Sequence, residues 1–277
     1  MTHKVDTARK LLADGYLLLR VDEATWSAID AAADAAYRFF RRPMAEKGMS
    51  VLPEDCGYRP TGIEYSQDPN RPDPIESFTA SMRTVRDAAR LPIVAARILH
   101  EHLLEVFGVF APLAEALTTR VADAVADSGA LASFHGAFDR WSCVQVNYSR
   151  PAETVEGCIH EPHEDGHLWT FAHATAPGLE VATASGDFLA ITTGAREVIV
   201  MPGEVAHLLS GGCVRPLYHR VRPDRRHGER LAVLFFADMA PALCQPWLRN
   251  DVNAGIAIGA RVRSNATRFG LSGFTPE

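Results

Sequence analysis

The chain has 277 residues, 47% of them hydrophobic, and a formal net charge of −6 at pH 7 with no basic footprint. A chain of this length buries a substantial core, so disorder is excluded as its default state, and nucleic acid or an anionic membrane surface is a poor partner. What remains is an enzyme of small molecules, expected to work as a monomer or weak homodimer. The longest apolar run, Leu231 to Ala237, falls far short of the ~20 residues of a spanning helix. Asp14 and Gly15 interrupt the apolar stretch near the N-terminus, so no signal peptide is read and a cytoplasmic location is expected. Cys56, Cys143, Cys158, Cys213 and Cys244 are odd in number and form no C-x-x-C pair, which predicts reduced thiols.

No repeat or linker divides the sequence, so a single domain over 1–277 is expected, with a helical and mixed N-terminal region (1–140), a β-rich core (141–240) and a C-terminal covering segment (241–277). Apolar residues at helical spacing predict helices over Val5 to Ala13 and from Asp22, as N-cap, to about Arg41. Gly15 to Val21 between them reads as a strand. Gly57 to Pro60 marks a turn-rich section, Glu76 to Ala80 a short strand, and Pro92 to Asp127 a long helix. Beyond Trp141 the texture changes to short β-rich runs: Ser142–Tyr148, His167–Ala172, Leu179–Val181, Phe188–Thr192, Glu197–Met201, Ala206–Leu209, Tyr218–Val221 and Leu231–Phe236. Pro202-Gly203-Glu204 reads as a hairpin turn, and a last helix is expected near Asn253 to Phe269. Runs of this length with regular turn punctuation predict a sandwich or jelly-roll barrel with helices packed around it.

The densest chemistry lies in Cys158-Ile-His160-Glu-Pro-His163-Glu-Asp165-Gly-His167. A helical zinc-protease motif is excluded, because Glu164 stands where the second histidine belongs and Pro162 would break the helix. On an extended strand, residues two apart face one side, so His163 and Asp165 project together while Glu164 points away. Two histidines and one carboxylate on one face of a metal leave positions open, the arrangement of O2-activating non-haem Fe(II) sites. The best third ligand is His219 in Leu217-Tyr218-His219-Arg220-Val221, far enough downstream for several strands to intervene. Arg230, ahead of the apolar strand, offers a guanidinium to hold a carboxylate through a bidentate pair.

The segments VNYSRP, PHEDGHLWT, GLEV, GDFLAITTGAREVIVMPGEVAHLLSGG, YHRV and ERLAVLFF resemble the catalytic core of the isopenicillin N synthase-like branch of Fe(II)/2-oxoglutarate-dependent oxygenases. GYRPTGIEYSQ and ESFTAS resemble that family's N-terminal region. The resemblance implies a double-stranded β-helix (jelly-roll, cupin-like) core with an N-terminal α/β region, in a mainly β fold with flanking helices. It also implies Fe(II) at His163, Asp165 and His219, with 2-oxoglutarate on the iron and on Arg230 and with O2 as co-substrate. The implied activity is oxygenation of an unactivated C–H bond of a small metabolite, by hydroxylation or else desaturation or cyclisation, in secondary metabolism.

One departure matters. The family's R-x-S has Ala232 at its third position, removing a hydroxyl contact worth ~1.5–3 kcal/mol to a charged group. Tyr148 or Asn147 is the expected helper, the choice depending on a one-residue register. Ala232 therefore leaves open an Fe(II) oxidase or cyclase that dispenses with 2-oxoglutarate, and a non-catalytic binding protein with this fold is a more distant alternative. His160 and His167 are expected to lie around the ligands or at the surface, Trp169 and Phe171 in the core. Arg59, Tyr58 and His135 are candidates for the pocket mouth.

Overall fold

Local chemistry sets the first elements. In the computed structural model, Gly15 takes a φ of 78°, a left-handed turn that glycine adopts without a Cβ penalty. It separates α1 (His3–Asp14) from β1 (Leu17–Arg20). The Asp22 carboxylate then accepts from the Thr25 amide at 2.8 Å and caps α2 (Glu23–Phe40), as its sequence position implies. The structure describes residues 3–53, 56–126, 134, 136–138, 140–150, 157–183, 186–224, 226–240 and 243–248. The expected helix near Asn253 and most of the expected covering segment lie outside them, as does His135.

A short α3 (Met44–Lys47) leads to β2 (Gly57–Arg59) and β3 (Glu76–Ala80). The section read as turns thus contains a strand, β2, which pairs with β3. After α4 (Val85–Ala88) comes the long α5 (Val94–Val125), within the expected span. The β-rich half supplies β4 (Cys143–Ser149), β5 (His160–His163), β6 (Trp169–Ala174), β7 (Leu179–Ala182), β8 (Phe188–Ala190) and β9 (Glu197–Pro202). Helix α6 (Glu204–Leu209), β10 (His219–Val221) and β11 (Arg230–Ala237) complete the order.

Helix α6 corrects two expectations. Val205, Leu208 and Leu209, all buried, recur at helical spacing, so Ala206–Leu209 is helical where a strand was expected. Pro202-Gly203-Glu204 is correspondingly a strand-to-helix junction and no hairpin. A side chain at Gly203 would run into the Asp165 and His167 carbonyls, and the Glu204 amide donates to Asp165 O at 2.8 Å. This close approach explains the glycine and fixes the loop that carries Asp165.

The strands form a seven-stranded sheet, ordered β1-β9-β6-β11-β4-β3-β2, and a four-stranded sheet, ordered β5-β10-β7-β8. Every pairing between these strands is antiparallel. Residues from both sheets line one cavity, so the sheets face each other as the two halves of a jelly roll. The N-terminal region is woven into this core: β1 extends the large sheet beside β9, and β2 and β3 extend it beyond β4.

Alternation divides the large sheet. Val144, Val146 and Tyr148 of β4, with Leu231, Val233 and Phe235 of β11, are buried on the outer face. There Phe235 meets Phe107 and Phe110 of α5 at ring-centroid distances of 5.3 and 5.8 Å, and Tyr148 stacks on Phe40 of α2 at 5.0 Å. Trp169 and Phe171 join this core as expected. The Trp169 indole finds a polar partner there, donating to Thr118 Oγ1 at 2.9 Å.

Candidate metal centre and co-substrate pocket

Antiparallel pairing of β5 with β10 sets His163 directly opposite His219, with ring centroids 4.5 Å apart. Each imidazole is aimed by its own backbone: His163 Nδ1 lies 2.7 Å from Glu161 O, and His219 Nδ1 lies 3.0 Å from Leu217 O. A carbonyl only accepts, so both Nδ1 atoms carry the proton and both Nε2 lone pairs are left free. These Nε2 atoms approach Asp165 Oδ1 at 3.7 and 4.0 Å. One ligand atom from each of the three residues lies within 4.8 Å of the others.

Asp165 does not share a strand with His163, as the extended-strand reading supposed, since β5 ends at His163. It stands on the following loop, with its carboxylate held by the Thr170 hydroxyl of β6. Thr170, for which the sequence carries no distinguishing signal, is a residue that reading missed.

Charge suits the cluster to a cation. Burial pushes the His163 pKa down to about 4, aided by the nearby His219, and the neutral imidazole is the form that binds metal. Burial works against the Asp165 carboxylate, but His219, His163 and the Thr170 hydroxyl together hold its pKa below the usual range. Next to it, His167 Nδ1 meets Asp238 Oδ2 at 2.5 Å. Burial opposes its imidazolium, yet the Asp238 charge and hydrogen bond leave its pKa raised.

The same cavity, about 170 Å³, is walled by Arg230, Asn147 and Ala232 together with apolar side chains such as Ile199, Met201, Leu234 and Phe236. Arg230 is buried, its Nε has no hydrogen-bond partner, and among the described residues no carboxylate acts on its charge. Burial lowers its pKa to about 10, so it stays charged near neutrality. An uncompensated buried cation costs several kcal/mol, and an anion entering the cavity would relieve it. Two nitrogens and a carboxylate oxygen for a metal, with an orphaned guanidinium in the same cavity, fit Fe(II) together with a dicarboxylate.

Register separates the pair left open by sequence. Asn147 lies across from Ala232 and lines the cavity. Tyr148, one residue on, faces the other side, where its hydroxyl donates to Glu229 at 2.6 Å and accepts from Arg150 Nε at 2.8 Å. The expectation of Tyr148 as a co-substrate residue is corrected accordingly: strand alternation turns it toward α2. Ser149, buried and directly across from Arg230, shares the strand face of Asn147 through its spacing of two but does not line the cavity. Arg59 and Tyr58 are absent from the cavity wall. Tyr58 packs outward against Phe39, and Arg59 pairs with Glu64 at 2.9 Å.

Residues 140–238 match the family model of the 2OG-Fe(II) oxygenase superfamily. Similar solved structures include a dioxygenase for auxin oxidation in rice, at 19% identity and TM-score 0.67, covering 86% of this chain and 78% of that one. The full-length Neurospora crassa T7H in complex with alpha-KG and 5-formyluracil matches at 16% identity and TM-score 0.68, over 94% and 91%. A Caulobacter crescentus protein assigned to the 2OG-Fe(II) oxygenase family matches at 20% and 0.68, over 95% of each chain. At such identities these structures establish the fold. No curated protein matches the sequence. Residues 140–238 therefore form a 2OG-Fe(II) oxygenase domain, the domain of Fe(II)- and 2-oxoglutarate-dependent dioxygenases, and the His163, Asp165 and His219 cluster within it fits Fe(II).

Proposed function

We propose that His163, Asp165 and His219 hold Fe(II), that Arg230 anchors the far carboxylate of 2-oxoglutarate, and that the enzyme oxygenates an unactivated C–H bond of a small metabolite. The two imidazoles bind through Nε2, and Asp165 adds the charge that a dication favours. Arg230 takes the carboxylate in a bidentate grip, with Asn147 and Ser149 as polar neighbours on the same sheet face. With iron, 2-oxoglutarate and O2 bound, the site has the oxidising power to attack such a bond as 2-oxoglutarate is converted to succinate and CO2. The apolar wall around Leu234, Phe236 and Met201 excludes water from that chemistry. Hydroxylation is the default outcome, and a place in secondary metabolism, in the cytoplasm, as a single-domain monomer or weak dimer, completes the reading. Among the described residues no helix is long and apolar enough to cross a membrane.

The observation that carries this reading is the buried, unpartnered guanidinium of Arg230 in the cavity shared with His163, Asp165 and His219. Anaerobic addition of Fe(II), then 2-oxoglutarate, should produce the visible charge-transfer band of the chelate in the wild type and none in His163→Ala. Iron binding without that band would overturn the role of 2-oxoglutarate. It would favour the second reading, an Fe(II) oxidase or cyclase, for which Ala232 in place of a serine is the supporting observation.

A further inference from the structure

Beyond the three clustered side chains and Arg230, the cavity wall carries one more ionisable residue among those described, His160 at the start of β5. Its imidazole is gripped from outside the cavity. Nδ1 lies 2.9 Å from Asp73 Oδ2 and 3.4 Å from Ser66 Oγ, and the Ser66 hydroxyl donates to the same Asp73 oxygen at 2.7 Å. An ionised carboxylate only accepts, so Nδ1 holds a proton and donates it to Asp73. Asp73 is buried, and among the described residues its ion-pair partner is His160.

The segment bearing Ser66 and Asp73 is strapped across β5. Gln67 Nε2 donates to the Pro162 carbonyl and reaches the Tyr218 hydroxyl, and the Asp73 amide donates to Glu64 O at 2.8 Å. Glu64 is itself tied to Arg59. The grip on His160 is thus anchored to both sheets.

His160 stands apart from the metal cluster, which comprises His163, Asp165 and His219. Its ring centroid is 6.1 Å from that of His163. Val221, its partner on β10, and Leu179 give the adjoining wall an apolar surface. His160 lines the cavity, and with its Nδ1 engaged by a buried acid, Nε2 is the nitrogen left to hydrogen-bond a molecule entering there. Nε2 accepts when the ring is neutral and donates when it is protonated. A hydroxyl satisfies both states, whereas an ether serves only the second and an ammonium only the first.

We infer that His160, positioned by Asp73 and Ser66, binds a hydroxyl group of the substrate, which makes the substrate a small, otherwise apolar alcohol or phenol. This inference rests on the dioxygenase reading above. Benzyl alcohol, benzyl methyl ether, benzylamine and toluene are close in size and differ in hydrogen bonding. Each is titrated into the anaerobic Fe(II)–2-oxoglutarate enzyme, and the concentration that half-maximally perturbs the visible band is read. The alcohol should act at about three- to tenfold lower concentration than toluene, the worth of one hydrogen bond, with only one of the ether and the ammonium sharing that advantage. His160→Phe should erase that preference while the band itself survives. Asp73→Asn, which keeps the volume, should weaken the alcohol response and leave that to toluene unchanged. An alcohol with no advantage in the wild type, or an advantage that persists in His160→Phe, overturns the inference, as does loss of the band in that variant. Absence of the band in the wild type overturns the dioxygenase reading itself, and this inference with it.

Discussion

The two faces of β4 and β11 are made by alternate residues of the same two strands and do opposite work. Val144, Val146, Tyr148, Leu231, Val233 and Phe235 turn outward and pack on α2 and α5. Asn147, Arg230, Ala232 and Leu234 turn inward and line the cavity. The outer face is closed: the Tyr148 hydroxyl has Glu229 and Arg150 as partners, and rings meet rings. The inner face is left unfinished, with a guanidinium nitrogen that nothing satisfies. Stability and binding are therefore separable on one pair of strands, because a strand's period of two keeps its faces independent.

Substitutions on each face put this separation at risk. The largest effect should come from His163→Ala, which removes a ligand from the cavity. Activity is expected to fall by more than the ~10–100-fold that loss of an outer hydrogen-bond partner costs at a metal site. Iron content and succinate release measure it, and a melting temperature that stays near the wild type shows that the fold is spared. Phe235→Ala should do the reverse. It is expected to cost ~3–5 kcal/mol of stability in denaturant titration, with 2-oxoglutarate affinity per folded molecule unchanged; a change in that affinity would break the division between faces.

Arg230→Met comes next. It should weaken 2-oxoglutarate by ~1.5–3 kcal/mol in calorimetric titration, while the ligand-free protein melts no lower than the wild type, since the variant loses a buried charge that had no partner. A clear drop in the ligand-free melting temperature would mean that Arg230 is satisfied within the fold. Ala232→Ser, restoring a hydroxyl across from Asn147, should tighten 2-oxoglutarate by roughly 1 kcal/mol. An unchanged dissociation constant would show that Asn147 or Ser149 already supplies the contact.

The smallest effect belongs to the helical layer. His100 of α5 is buried against Thr84, with Nε2 3.0 Å from its hydroxyl, and burial lowers its pKa from 6.5 to about 4. Between those values the unfolded chain binds more protons than the folded one, so stability rises with pH across the window and is lost progressively as pH falls through it. His100→Gln should lessen that slope in melting curves recorded from pH 4 to 6.5, leaving the share of His163, lowered over the same range, and an undiminished slope would assign the whole effect to other groups.

Much of this was legible in the sequence because it depends on short spacings. Asp22 announces its helix through the cap, the outer-face residues of β11 through alternation, and the candidate ligands through residue type and order along the chain. What escaped was of longer range or of one-residue delicacy. Tyr148 and Asn147 differ only in strand register. Helix α6 was hidden inside a run that reads equally well as a strand, and only the collision that forces Gly203 to be glycine reveals the junction before it. Thr170 matters because the Asp165 loop folds back on β6, which no local pattern states.

By itself, then, the sequence determined the class of architecture and the identity of the three clustered side chains, since periodicity and residue chemistry are local properties. Tertiary structure decided that His163 faces His219 across a strand pair, that Asp165 reaches them from a loop, and that Arg230 lines the same cavity with its Nε unpartnered. Those outcomes depend on which distant strands pair and in what register. They are set by the burial of two sheets against each other and the helices, a sum over the whole chain that no single segment encodes.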